Sequence, residues 1–196
     1  TAAIAGTGNE LDNVLTGNSA VNVLAGLGGN DTYVIGAGDT VVEAANGGLD
    51  TVVSGITHTL ATNVENLTLI GFSAIKGTGN ALDNVLNGLL NLAGNTLTGG
   101  VGNDTYILGS GDQVVEAANG GTDTVQSGLI HTLGANVENL MLTGFSAING
   151  TGNSLNNTMT GNSGNNTLSG ANGNDTLRGG LGKDTVNGGS GNDTFL

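Results

Sequence analysis

Four consecutive nine-residue segments determine the fold of this chain: GNSGNNTLS (161–169), GANGNDTLR (170–178), GGLGKDTVN (179–187) and GGSGNDTFL (188–196). Each segment begins with glycine, has Asp or Asn at position six and has one apolar residue at position eight. The first six residues suit a tight turn, because glycine reaches positive φ values without steric cost. The last three, such as T-L-S or T-V-N, suit a short β-strand. The pattern predicts one turn and one strand in each segment.

A nonamer of this kind buries a single side chain, so it cannot form a core alone, whereas stacked copies bury a continuous column. Two nonamers make a coil of about 18 residues, and coils stack at the strand spacing of about 4.8 Å. The chain contains no proline, which agrees with strands that need every N–H for pairing. We therefore predict an all-β fold, namely a right-handed parallel β-roll or β-solenoid of stacked nonapeptide half-coils.

A longer unit repeats around the nonamers. The pentapeptide GNDTY occurs at Gly29 and Gly102, and GFSAI occurs at Gly71 and Gly144, so both recur at the same interval. Degenerate nonamers extend the short period over most of the chain. We predict a single solenoid over residues 1–196, with long repeat units at 6–76 and 77–149 and a partial unit at 150–196.

Two stretches, 44–76 and 117–149, match the nonamer poorly but keep short apolar pulses at a similar pace. We expect them to continue the solenoid with wider, metal-free turns. The alternative is a loop or a small insertion, although long segments without regular structure are uncommon in compact folds.

The charge of the chain restricts its partners. Sixteen acidic and three basic residues give a net charge of −13, which is the wrong sign for nucleic acid or an anionic membrane surface. We expect no nucleic-acid partner and no membrane insertion. A compact acidic chain repels itself, and bound cations relieve that repulsion. The H-E-x-x-H, G-x-S-x-G and G-K-[ST] motifs are absent, so we predict no enzyme activity and no catalytic residue.

Oxygen ligands recur at position six of the nonamers. Carboxylate and carbonyl oxygens in flexible glycine-rich turns suit Ca²⁺ better than Mg²⁺, Zn²⁺ or Cu²⁺. We predict several bound Ca²⁺ ions as the only cofactor. The main candidate ligands are the position-six aspartates Asp31, Asp104, Asp175, Asp184 and Asp193.

Residues 18 apart lie above one another on one edge of an 18-residue coil, so a cation can be held between two carboxylates. A spacing of 19 also shares an edge if one turn has an extra residue. These spacings bring in Asp50 and Asp123, and the resulting pairs are Asp175 with Asp193, Asp31 with Asp50, and Asp104 with Asp123.

The alternative for each aspartate is turn chemistry, because Asp and Asn side chains hydrogen-bond their own backbone. Three consecutive G-x-D turns favour a metal over this alternative. Asp39 and Asp112, in G-D turns, are weaker metal candidates. Some acidic residues recur only because the long unit is copied, so their recurrence carries no independent weight: Glu43, Glu65, Glu116 and Glu138.

The nonamers at Gly179 and Gly188 match G-G-x-G-x-D-x-U-x without error, where U is apolar. With these residues the chain resembles the RTX, or hemolysin-type, calcium-binding repeat family. The match is degenerate over 8–42 and 79–115, where Asn often replaces Asp. The segment DTYVIGAGDTVVEAANGGLDTVVSG also resembles the spacer of large bacterial RTX proteins.

The resemblance implies a parallel β-roll with Ca²⁺ in its turns, type I secretion, and folding outside the cell. It implies that Asp175, Asp184 and Asp193 supply side-chain ligands. It also implies that neighbouring turn glycines offer their carbonyls, namely Gly180, Gly182, Gly189 and Gly191.

Two functions remain open at this point. The chain is either a calcium-dependent structural segment of a secreted or cell-surface bacterial protein, of S-layer, biofilm-matrix or adhesin type, or the secretion and folding module of an exoenzyme or toxin. The copied long unit favours the first. Copies of the chain stacked end to end and cell-surface glycans are the macromolecular partners that we consider.

Overall fold

In the computed structural model, which describes residues 2–196, the chain forms short β-strands and no helix. We number the strands β1 to β22 in chain order. Every second strand joins one continuous parallel sheet of eleven: β2 (Val14–Thr16), β4 (Thr32–Ile35), β6 (Thr51–Ser54), β8 (Asn66–Leu69), β10 (Val85–Asn87), β12 (Thr105–Leu108), β14 (Thr124–Ser127), β16 (Asn139–Leu142), β18 (Thr158–Thr160), β20 (Thr176–Arg178) and β22 (Thr194–Phe195).

The remaining strands form three separate parallel sheets on the opposite side. The first contains β1 (Ala5–Thr7), β3 (Val23–Ala25) and β5 (Thr40–Val42). The second contains β7 (His58–Thr59), β9 (Lys76–Thr78), β11 (Thr96–Thr98) and β13 (Gln113–Val114). The third contains β15 (His131–Thr132), β17 (Asn149–Thr151), β19 (Thr167–Asn172) and β21 (Thr185–Ser190).

The core is a column of side chains between the two sides. Alternation along each short strand turns the position-eight residue inward, and the register stacks these residues coil upon coil. On the continuous sheet, Tyr33 and Tyr106 are fully buried within this column. The stacked positions of the sheet are Leu15, Tyr33, Val52, Leu67, Leu86, Tyr106, Val125, Leu140, Met159, Leu177 and Phe195.

Coil length varies along the solenoid. Most coils have 18 to 20 residues, but only 15 separate Asp50 from Glu65 and Asp123 from Glu138. The stretches 44–76 and 117–149 thus continue the solenoid, as predicted, and are not loops. The expectation of wider turns is only half right. The turn from Glu43 to Asp50 is longer than six residues, and the coil that follows is shorter than the rest.

Crowding by neighbouring side chains explains the glycine of the recurring GTGN motif. Gly77 in β9 and Gly150 in β17 occupy core positions. A Cβ at Gly150 would lie 2.7 Å from Leu140 Cδ2 and 3.1 Å from Met159 Cε. Larger side chains of the continuous sheet therefore fill the space that an apolar residue would take.

Together these strands form a parallel β-solenoid of about 11 turns, and the predicted parallel β-roll is confirmed. Within residues 2–196, no helix has the length and apolarity that a membrane crossing requires.

Candidate metal centre

Position six of each coil lies at the edge where the chain enters the continuous sheet, and its residues form a ladder. The backbone N–H of Asp31 donates to Oδ1 of Asp50 in the next coil (2.8 Å), and that of Asp175 donates to Oδ1 of Asp193 (3.0 Å). Side chains of one coil therefore cap the backbone of the coil before. The residues along this first edge are Asn13, Asp31, Asp50, Glu65, Asn84, Asp104, Asp123, Glu138, Asn157, Asp175 and Asp193.

Several carboxylates of the first edge keep one oxygen without a partner. Their Oδ1 atoms accept the ladder hydrogen bonds, while Oδ2 is buried and unpartnered in Asp31, Asp50, Asp104, Asp123 and Asp175. Each of these side chains is at most 1% exposed. A buried, unpaired carboxylate oxygen is costly unless a cation or proton meets it. Paired hard oxygens of this kind fit Ca²⁺.

The first glycine of each nonamer leaves room for that oxygen. A Cβ at Gly26 would overlap Oδ2 of Asp31, and a Cβ at Gly170 would overlap Oδ2 of Asp175. Position one is therefore glycine because any side chain there would collide with the carboxylate and fill the candidate site.

Two groups of three carboxylates stand out along the edge, and they occupy equivalent places in the two long units. We call Asp31, Glu43 and Asp50 the first cluster, and its equivalent of Asp104, Glu116 and Asp123 the second cluster. In each cluster, one carboxylate oxygen per residue lies within 4.8 Å of the other two. The expected pairs Asp31–Asp50 and Asp104–Asp123 are thus brought together, and each gains a glutamate.

Burial and mutual repulsion raise the pKa values of several carboxyl groups on this edge. Burial, followed by the charges of Asp50 and Asp31, raises the pKa of Glu43 to about 7. Burial and Asp123 likewise raise the pKa of Glu116 to about 7. Burial raises the pKa of Asp104 to about 6, and it raises the pKa values of Asp50, Asp123 and Asp175 above their ordinary value. A bound cation would offset the burial and the mutual repulsion of these carboxylates.

The opposite edge is chemically different. The two carboxylate oxygens of Asp39 accept backbone hydrogen bonds from Asn22 and Gly36, each of 2.8 Å. Asp112 is held in the same way by Asn95 and Gly109. Every carboxylate oxygen of these two weaker candidates thus has a donor, which is the turn chemistry of the alternative interpretation.

Asp184 also lies on the opposite edge, where its Oδ1 accepts the N–H of Asn166 at 2.9 Å. Consecutive nonamers alternate between edges, so Asp184 is separated from the stacked pair of Asp175 and Asp193. Asp184 and Asp193 are partly exposed.

The four turn glycines near these residues have φ between +95° and +137°, and each packs against a carbonyl of the preceding coil. The left-handed conformation and the close stacking both require glycine here. Their suggested role as carbonyl ligands stays a prediction for Gly180, Gly182, Gly189 and Gly191.

Sequence reasoning missed several residues of the site. Glu65 replaces aspartate at position six and accepts the N–H of Asp50 at 2.8 Å, as Glu138 does for Asp123. Their signal was the N-V-E-N-L motif, in which Glu stands two residues before an inward Leu. Position five carries a second ladder on the surface, in which Asn30 N–H donates to Asp12 Oδ1 at 2.7 Å.

The fold and these edges define a β-roll with stacked acidic turns, whose neighbouring carboxylates could hold a cation between coils. The chain matches the model of the RTX calcium-binding nonapeptide repeat in four copies, at residues 7–42, 94–112, 151–186 and 160–195. The matched segments cover about half of the chain, and the chain belongs to this family of calcium-binding repeats. No curated protein matches it.

Acid should replace part of the effect of calcium. Because the folded-state pKa values of Glu43 and Glu116 are about 7, against an ordinary 4.5, their protonation stabilises the fold fully below about pH 4.5. This stabilisation is lost as the pH rises through about 7. In EDTA, circular dichroism should therefore show more β structure at pH 5 than at about pH 8.

The double variant Glu43→Gln, Glu116→Gln should show a flatter pH dependence, because glutamine does not titrate. A calcium-free chain that gains structure as the pH rises would contradict the assigned direction.

Proposed function

We propose that the chain is a non-catalytic, calcium-binding structural segment of a secreted or cell-surface bacterial protein. It acts as one solenoid of long units at 6–76, 77–149 and 150–196, and it folds on Ca²⁺ binding after export. The observation that carries the proposal is the row of buried, unpartnered carboxylate oxygens on the first edge of a chain built of calcium-binding repeats. Bound Ca²⁺ would neutralise facing carboxylates and join successive coils.

Duplication of the clusters supports a structural role. The first and second clusters have the same residue types and the same spacing, and each has a tyrosine at the equivalent position. Each long unit contains one cluster. A structural element is expected to recur with its coil, whereas an active site is usually unique. An S-layer, biofilm-matrix or adhesin segment needs such a rigid repeated spacer, and copies of itself or cell-surface glycans are the partners we propose.

The variant Asp175→Asn tests the role of the first edge. Asparagine keeps the Oδ1 acceptor for the N–H of Asn157, which is now 2.7 Å away, but it removes the charge at the unpartnered oxygen. We expect the calcium midpoint for folding to rise several-fold, since ligand charge sets Ca²⁺ affinity.

The matched control is Asp12→Asn, which changes an exposed position-five residue that also accepts one backbone hydrogen bond through Oδ1. It removes the same charge and should leave the midpoint nearly unchanged. Equal midpoints in calcium titrations of the two variants would contradict a metal site at Asp175.

A further inference from the structure

Glu43 and Glu116 occupy position one of the nonamer, which is glycine in most other coils. Ala25 pairs with Val42 in the register of β3 and β5, so the next residues, Gly26 and Glu43, are stacked neighbours. At Gly26 even a Cβ would overlap the carboxylate of Asp31. A long acidic side chain occurs at the equivalent position one coil later.

The Glu43 side chain extends back toward the preceding coil. Its carboxylate accepts the N–H of Ala44 at 3.2 Å and the hydroxyl of Tyr33, and it also accepts a backbone hydrogen bond from Gly26. It thereby brings a third carboxylate beside the unpartnered oxygens of Asp31 and Asp50. The charges that act on it most are those two acidic groups.

The second cluster contains a further buried polar atom without a partner, and this atom is not a carboxylate oxygen. The hydroxyl of Tyr106 is buried and has no hydrogen-bond partner, although Tyr106 is 0% exposed. A Cβ at Gly99 would overlap both this hydroxyl and Oδ2 of Asp104. The two unpartnered oxygens therefore lie close to each other beside Gly99. Glu116 Oε1 and Asp123 Oδ2 are also buried and unpartnered.

We propose that Glu43 and Glu116 are side-chain ligands in two three-carboxylate cation sites, each lined by a tyrosine hydroxyl. The proposal rests on the calcium-binding function proposed above and adds a class of site that differs from the other turns. Ligand oxygens within 4.8 Å of one another suit Ca²⁺, whose oxygens at 2.3–2.6 Å can be about 5 Å apart. Three carboxylates should bind more tightly than the turns that pair Asp with Asn, because affinity rises with ligand charge.

The tyrosines make the two sites separately observable. The chain has two tyrosines and no tryptophan, and each tyrosine belongs to one cluster. Tb³⁺ replaces Ca²⁺ at oxygen sites and emits when an excited tyrosine lies close to it. Tyr106→Phe removes a hydroxyl that has no partner, and it leaves Tyr33 as the only sensitiser.

In the Tyr106→Phe chain, Glu43→Gln should weaken tyrosine-sensitised Tb³⁺ binding by about tenfold or more. Glu116→Gln, the same change in the other long unit, should leave that signal unchanged. In the Tyr33→Phe chain the two effects should be reversed. An unchanged signal with Glu43→Gln, or equal losses with both variants, would overturn the assignment, and circular dichroism of each variant reports whether it folds.

This result is separable from the test of the proposed function. Asp175→Asn should lower the total calcium bound while leaving the Tyr33 signal intact. If Asp175→Asn has no effect but Glu43→Gln does, the clusters bind cations and the calcium role of the other turns fails. If only Asp175→Asn has an effect, the glutamates are not ligands.

Discussion

Removal of calcium with EDTA near neutral pH is expected to unfold most of the chain, and millimolar Ca²⁺ should restore its β structure. Without a cation, the fold must bury carboxylates whose second oxygen has no partner, in a chain with a net charge of −13. Its 38 glycines lose much backbone entropy on folding, and the core is one column of side chains. At millimolar Ca²⁺, a site with a dissociation constant of about 10⁻⁴ M contributes about 1.4 kcal/mol, so several occupied sites together are needed to favour the folded chain.

Far-ultraviolet circular dichroism during a calcium titration measures this effect. The midpoint should lie at about 10⁻⁴ to 10⁻³ M, the range of extracellular calcium modules. Mg²⁺ at equal ionic strength is the control, and it should restore little structure because it demands a smaller octahedral site and dehydrates reluctantly. Identical spectra in EDTA and in calcium would show that folding does not depend on the metal.

Gly121→Ala should strongly destabilise the solenoid, although it adds only one methyl group. A Cβ at Gly121 would overlap the carbonyl oxygen of Gly102 in the preceding coil and lie 2.6 Å from its carbonyl carbon. The obstacle is backbone, which cannot rotate away, so the two coils must separate. Overpacking of this kind costs about 1–3 kcal/mol, and thermal unfolding in saturating calcium measures it.

Gly128→Ala is the matched control in the same coil. A Cβ at Gly128 would meet only Thr143 Oγ1 at 3.5 Å, which is an ordinary contact. Alanine also reduces the entropy of the unfolded chain, so this variant should be neutral or slightly more stable. A similar loss of stability in both variants would show that the close contact between coils is not the reason for glycine at position 121.

The nonamer pattern was sufficient to predict the strands, the inward column and the parallel stacking. A three-residue strand with one apolar residue can bury that side chain only by stacking on equivalent strands of neighbouring coils. Spacing alone also placed Asp31 beside Asp50. The short coils after Asp50 and Asp123 were not predictable, because DTVVSG and ENLTLIG show only apolar pulses and no nonamer turn from which to count.

The glutamates of the two clusters, Glu43 and Glu116, were not predicted as site residues for a different reason. Glu43 precedes Asp50 by less than half a coil, so a count of coil lengths does not bring them together, and the copied unit made their recurrence uninformative. Only the register of β5 on β3 shows that Glu43 takes the place of a glycine. The tyrosine hydroxyls likewise gave no signal in the sequence, because each ring occupies a core position of its strand.

The unequal sides of the solenoid also determine where it can bend. Strand pairing is continuous through eleven strands on one side, but on the other it is interrupted between β5 and β7 and again between β13 and β15. We expect the solenoid to bend most easily at these two interruptions, which we call hinges, one in each long unit. Glu43 and Glu116 lie next to these hinges, so a cation held there would stiffen the rod, and ambient calcium would set its flexural rigidity.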